Sequence, residues 1–161
     1  METVTIQNLS AYNKQNVLLK GWVYNIRSIG KIWFVILRDG TGLVQGVVVK
    51  GEATDKTFAM EQVLNQEDAV IITGMVRMDP RSVGGYELAI REIQVVSHVT
   101  EEYPISPKQH GTDFLMTNRH LWLRSKRQHA IMRVRHQTVK AIRDFFDSHD
   151  FLILVQNVYF V

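Results

Sequence analysis

Three β-rich runs joined by short glycine-containing turns, one helical stretch after the third, and two further β-rich runs ahead of a switch to helical periodicity predict a mainly β fold. That order is the order of a five-stranded OB-fold barrel with one inserted helix, here followed by a linker and a long C-terminal helix plus strand. Tight turns demand antiparallel neighbours, and one helix cannot supply the crossovers of an alternating parallel sheet.

The first strand is expected over Val17–Ile26, and Arg27–Gly30 as a turn in which Gly30 is free to take positive φ. A second strand, Lys31–Arg38, is followed by Asp39-Gly40-Thr41-Gly42, a dense turn signal that makes Leu43–Lys50 its hairpin partner. Thr54 is placed to cap a short amphipathic helix over 54–64, with Phe58, Met60, Val63 and Leu64 on its apolar side. Two more strands, Ala69–Met78 and Tyr86–Val96, flank a loop at Asp79–Gly85. Thr100–Thr112 holds two of the three prolines and no periodicity, which marks a linker. From Gln128 to Asp147, Ile131, Val134, Thr138, Ile142 and Phe145 share one helical face, with Arg133, Lys140 and Arg143 largely elsewhere. Phe151–Val155 reads as a buried strand. The expected layout is a barrel over 1–102, a linker over 103–118 and a second domain starting at 119.

Charge is divided unevenly. Residues 1–105 carry ten Lys or Arg against twelve Asp or Glu, and residues 106–161 nine against four. A nucleic acid on the barrel would therefore be held by stacking and hydrogen bonds to bases, because phosphate neutralisation scales with the number of cations engaged. The absence of cysteine removes disulfides and thiolate metal sites and fits a reducing cytoplasm. The apolar stretch 151–161 is interrupted by Gln156 and Asn157 and falls short of the ~20 residues of a bilayer span, so no membrane partner is expected. The first residues read neither as a secretory signal nor as a transit peptide.

Strand alternation sends Trp33, Val35 and Leu37 to the core and Phe34, Ile36 and Arg38 outward. It also turns Gln45 outward, away from core-directed Val44 and Val48. An outward aromatic beside an amide suits base reading: the ring offers stacking of ~1–3 kcal/mol per base, and the amide addresses a polar base edge. Arg27 and Lys31 at the neighbouring turn are placed to hold flanking phosphates, and Arg77 is a further base or phosphate candidate. On alternation alone, packing and solvation are the plainer account of such residues. Asp39 reads as structural, fixing its turn. No His pair stands at metal-ligand spacing with acidic neighbours, no metal is expected, and dinucleotide, P-loop and nucleophile-elbow motifs are absent.

The run Arg27-x-x-Gly30-Lys31-x-x-Phe34-x-x-Leu37-Arg38-Asp39-Gly40-x-Gly42-x-x-Gln45 resembles the anticodon-binding barrel of the class IIb aminoacyl-tRNA synthetases, which serve aspartate, asparagine and lysine. The resemblance implies that Phe34 stacks on the central anticodon base while Gln45 and Arg27 contact the same region, with Lys31 and Arg77 as secondary tRNA contacts. That base is uridine for all three amino acids, so this motif does not choose among them. Tyr103-Pro104-Ile105, Lys108-x-His110-Gly111-x-x-Phe114-Leu115, Asn118–Ser125 and Gln128-x-Ala130-Ile131 resemble the linker and start of the catalytic domain of bacterial asparaginyl-tRNA synthetases. This likeness implies the asparagine anticodon arm as partner. It also implies a class II catalytic domain beginning near 119, whose motif 1 helix would place Ile131, Val134, Ile142 and Phe145 at a homodimer interface of the full-length enzyme. ATP and Mg would serve that full-length enzyme, with no cofactor in these residues.

The likeness has departures. No proline follows Pro107, Asp150 stands where the family has glycine, and 154–161 does not look like the family. Motif 2 and motif 3, with their ATP-binding arginines, are absent from the sequence, so these 161 residues alone are expected not to form an adenylate. Two other readings stay open: a general single-stranded nucleic-acid-binding OB module, and an interaction module that docks through the amphipathic helix.

Overall fold

The computed structural model describes residues 2–106 and 108–152. The chain divides at Pro107–Lys108 into two compact units.

The first unit contains strands β1 (Glu2–Val4), β2 (Asn16–Ile29), β3 (Ile32–Arg38), β4 (Leu43–Val49), β5 (Ala69–Met78) and β6 (Tyr86–Ser97). They form one sheet in the order β1-β2-β3-β4-β6-β5, and β2 also pairs antiparallel with β5, which closes five strands into a barrel. All five expected strands are present. Closure joins β4 to β6 in parallel over Gln45–Val47 and Glu87–Ala89. β1, too short to show a period in sequence, lies parallel to Val17–Leu19 of β2.

The interior is filled by the inward half of each strand. Val17, Leu19 and Val23 of β2 meet Trp33, Val35 and Leu37 of β3, Val44 and Val48 of β4, Val70, Ile72 and Val76 of β5, and Leu88, Ile90 and Ile93 of β6. Trp33, Val35 and Leu37 are fully buried, as alternation requires. Gly46 stands where strands crowd: a Cβ there would lie 2.3 Å from Ile90 Cδ1 and 3.1 Å from Val35 Cγ1.

Two details differ from the sequence expectation and shape the outer wall. β2 does not end at Ile26 but continues to Ile29, so Arg27 is a strand residue and the turn shrinks to Gly30 and Lys31. The cause is local: Ile29 pairs with Ile32, and Gly30 at φ 63 makes the reversal without a Cβ clash. Secondly, the β2–β3 ladder is irregular between Val23 and Asn25, with Tyr24 as the extra residue of a β-bulge. Inward facing therefore passes from odd-numbered Val17, Leu19 and Val23 to Ile26, which packs on the core, and Arg27 falls on the outside.

The Asp39 turn is built as expected. Asp39 Oδ1 accepts from Thr41 N (2.7 Å), Thr41 Oγ1 (2.7 Å) and Gly42 N (3.0 Å), and Oδ2 accepts from Ile6 N (2.8 Å). The inserted helix is shorter than expected: α1 covers Asp55–Ala59 and passes into a single 3-10 turn, Met60–Gln62. Thr54 caps it, accepting from Thr57 N at 3.2 Å. Buried Thr57 accepts from Ile93 N at 3.1 Å and docks the helix on β6. Leu64 reaches the core, but Val63 is exposed, because the tighter 3-10 step takes it off the apolar side.

In the second unit, α2 (Thr112–Thr117) occupies part of the segment read as a linker and is followed by α3 (Arg119–Trp122). α4 runs Lys126–Asp147 and starts two residues earlier than expected, at a Ser125 cap whose hydroxyl accepts from Gln128 N. Ile131, Val134, Ile142 and Phe145 are all exposed along it. After α4, Asp150 takes φ 62, the left-handed conformation Asp tolerates. Phe151 and Leu152 are exposed and not in a strand, and the rest of the expected strand lies outside the described residues.

Candidate nucleic-acid interface

Residues opposite one another in a ladder share a face, so the registers define rows across the outer wall. One row passes from Asn25 through Ile36, Gln45 and Glu87 to Arg77, one residue from each of β2, β3, β4, β6 and β5. The next holds Arg27, Phe34, Val47 and Ala89. A third, at the hairpin tip, holds Ile29, Ile32 and Val49. Successive rows are two residues apart, about 6.6–6.8 Å.

The registers bring together the residues singled out in sequence. Phe34 is half-buried on this wall, and the guanidinium carbon of Arg27 lies 4.6 Å from its ring centroid. Arg27 Nη2 donates to Gln45 Oε1 at 2.9 Å, and Gln45 Nε2 donates to Glu87 Oε2 at 3.4 Å. Gln45 is thus one row from Phe34 and joined to it through Arg27. Arg77 completes the polar row, with Nη2 3.4 Å from Glu52 Oε2 in an exposed pair worth at most about 1 kcal/mol. Lys31 is exposed at the hairpin tip, apart from the hydrogen-bonded cluster.

This wall can do two things chemically. It offers one aromatic ring for stacking, and beside it an amide whose donor and acceptor are both engaged by side chains that can exchange for a base edge. Arg77, the cation of the polar row, has the Glu52 carboxylate beside it, and Glu87 of the same row accepts from Gln45, so this row offers hydrogen-bonding groups more than bulk phosphate attraction. Arg38, outward by alternation, instead donates to buried Glu67 at 2.7 Å and is a structural residue. Glu87 escaped the sequence reading. Alternation within Tyr86–Ile90, with Leu88 and Ile90 inward, was the signal that could have found it.

Among the described residues no group of three or more His, Asp or Glu side chains could hold a metal ion, and no helix is long and apolar enough to cross a membrane.

Comparison with known proteins follows the same division. Residues 17–96 match the family model described as an OB-fold nucleic acid binding domain, and residues 111–156 the model for tRNA synthetases class II (D, K and N). The chain is 50% identical over 153 residues to the asparagine--tRNA ligase of Pelotomaculum thermopropionicum, covering 95% of this chain and 35% of that protein. It is 50% identical over 149 residues to that of Thermus thermophilus, covering 92% and 34%. Among solved structures, the asparaginyl-tRNA synthetase of Pyrococcus horikoshii complexed with asparaginyl-adenylate matches with a TM-score of 0.81 at 34% identity, over 92% of this chain and 35% of that one. The chain spans about a third of the length of the curated relatives it matches.

Proposed function

Because this chain belongs to the asparaginyl-tRNA synthetase family, we propose that its barrel binds the anticodon arm of the asparagine tRNA, with Phe34, Gln45 and Arg27 as the reading residues. The observation that supports the reading most is the joining of these three side chains on one open wall, Arg27 bridging the ring and the amide. The central anticodon base would lie against Phe34 and displace the guanidinium. A cation–π contact at an exposed site is worth about 0.5–1 kcal/mol. Base–aromatic stacking is worth about 1–3 kcal/mol, so the exchange favours the base. Released from the ring, Arg27 keeps its reach to Gln45 and gains a base edge or phosphate to address. Lys31 and Arg77 would contact the flanking backbone.

In the same proposal residues 1–102 form the anticodon-binding domain, 103–118 the linker and 119–161 the start of a class II catalytic domain. The exposed apolar face of α4, with Ile131, Val134, Ile142 and Phe145, would then serve a homodimer interface of the full-length enzyme. Attachment of asparagine to its tRNA is the activity of that full-length enzyme.

Competition between an RNA hairpin carrying the asparagine anticodon loop and an oligo-dT of equal length tests the reading. The hairpin is expected to win at every salt concentration. Equal binding with parallel salt slopes would instead identify a general single-strand binder.

A further inference from the structure

Val23 is the last residue of β2 before the bulge, and both its backbone groups go to one dipeptide: Glu67 N donates to its carbonyl at 2.6 Å, and its own N–H donates to Asp68 O at 2.9 Å. Beyond this point β2 leaves β5 and pairs only with β3, as the arm that carries Arg27 and Phe34. The other root of that arm is Arg38 at the end of β3. It too goes to the dipeptide, donating to Glu67 Oε2 at 2.7 Å in a largely buried pair. Asp68, fully buried, holds a different part of the chain. Its Oδ1 accepts from Val99 N at 2.8 Å, and its Oδ2 accepts from Asn65 N at 2.9 Å and lies 2.9 Å from His98 Nδ1. Next to the dipeptide, Gln66 Nε2 donates to Ile105 O at 3.1 Å. Residues 98–105 are thereby tied to the barrel on their way toward the second unit. Glu67 stands between these contacts at φ 72, a conformation that costs a residue with a side chain and persists only where its surroundings fix it. A turn needs no such pair of carboxylates. These two reach 29 residues back along the chain and 31 forward, and so join the arm to the exit segment.

We infer that Glu67 and Asp68 are a joint through which occupancy of the base-reading wall regulates the order of residues 98–105. The inference rests on the anticodon-arm reading and adds a response to it. A buried carboxylate does not trade its partners for water without a large penalty, so the two side chains and the peptide between them move as one unit. Past the bulge the arm's β2 half is held by one neighbouring strand, and its motion is passed to Val23 and Arg38. A base stacked on Phe34, with Arg27 engaged at its edge, ties β2 and β3 to a common ligand and quiets that motion. Asp68 then has less conformational freedom left to lose in holding His98 and Val99, and the segment is held more firmly in the RNA complex. Linkage makes the effect reciprocal: loosening the segment weakens RNA binding through the same coupling.

Hydrogen exchange at the Val99 amide, followed by NMR with and without a saturating RNA hairpin carrying the asparagine anticodon loop, tests the joint. Exchange there proceeds by local opening, faster than at the core amide of Ile72, and is expected to slow by at least about fivefold on binding. Arg38→Gln cuts the arm from the joint and should abolish the slowing while leaving the RNA-free rate at Val99 near the parent's. Arg38→Lys keeps the cation and should restore part of the response. His98→Ala removes a half-exposed partner and is expected to speed the RNA-free rate with little change in melting temperature. If Arg38→Gln does not fold, the parent measurement and His98→Ala still decide. A Val99 rate that a bound hairpin leaves unchanged in the parent overturns the joint, as does slowing that survives Arg38→Gln in full. Phe34→Ala separates the two readings. If hairpin binding does not depend on Phe34, the anticodon-arm reading fails and the joint with it; if it depends on Phe34 but Val99 does not respond, only the joint is lost.

Discussion

Arg27 and Phe34, partners across the β2–β3 ladder, are stacked, with the guanidinium carbon 4.6 Å from the ring centroid. The ring proposed to receive a base is thus already covered by a planar cation of the protein. Replacing Phe34 by Ala is expected to weaken an anticodon hairpin by ~1–3 kcal/mol, diminished by the ~0.5–1 kcal/mol that releasing Arg27 costs the parent. The melting temperature should barely move, since the ring is outside the core. Titration by fluorescence anisotropy with a thermal scan checks both, and an unchanged affinity would detach Phe34 from RNA binding.

Gly46 is a packing requirement. Gly46→Ala would place a methyl 2.3 Å from Ile90 Cδ1, and overpacking of this kind costs about 1–3 kcal/mol. Ile90→Val removes that atom, so the double variant should regain part of the loss even though Ile90→Val alone costs ~0.5–1.5 kcal/mol. Urea unfolding of the three variants measures the coupling.

Asp39→Ala leaves the amide N–H groups of Ile6, Thr41 and Gly42 without their acceptor. A loss of about 2 kcal/mol is expected, read as a lower denaturation midpoint with little change in slope. Asn, which keeps one acceptor oxygen, should retain a part of it.

In the β5–β6 loop, Arg81 donates through its side chain and its backbone N–H to Asp79, and this holds the Asp79 carboxyl below the ordinary carboxylate value. A depressed folded value means the contact is intact above the unfolded carboxylate range, near ~3.9, and is lost as pH falls through the lower folded value. An NMR titration should place the Asp79 midpoint below that of Arg81→Ala, and an equal midpoint would dismiss the contact.

If α4 forms a homodimer through its apolar face, Ile131→Asp with Ile142→Asp should shift sedimentation to the monomer while leaving hairpin affinity unchanged. A parent that sediments as a monomer would remove the face from consideration in this chain.

Most of the barrel was legible because its strands bury one side: the period of two in Trp33–Val35–Leu37 and Val44–Val48 needs no tertiary knowledge. Facing was legible only within single strands. Arg27 was placed in a turn because neither the Ile29–Ile32 pairing nor the Tyr24 bulge leaves a period of its own. Row membership was hidden for a different reason: that Gln45 meets Glu87, and Glu87 meets Arg77, depends on the long-range β4–β6 closure, which no local pattern encodes. The apolar side of α1 was misjudged at Val63 because a change from α to 3-10 geometry alters the angular step without altering the residue types.

The extra residue at Tyr24 bends β2 at the point where it leaves β5 and begins to pair with β3. Excising it would let Val23 and Asn25 follow each other in an unbroken ladder, each still opposite its present partner, so Arg27, Phe34 and Gln45 would keep their orientation. What would go is curvature. The arm bearing Arg27, Ile29 and Phe34 would leave the barrel at a different angle, and RNA would meet intact chemistry on a wall tilted away from its path.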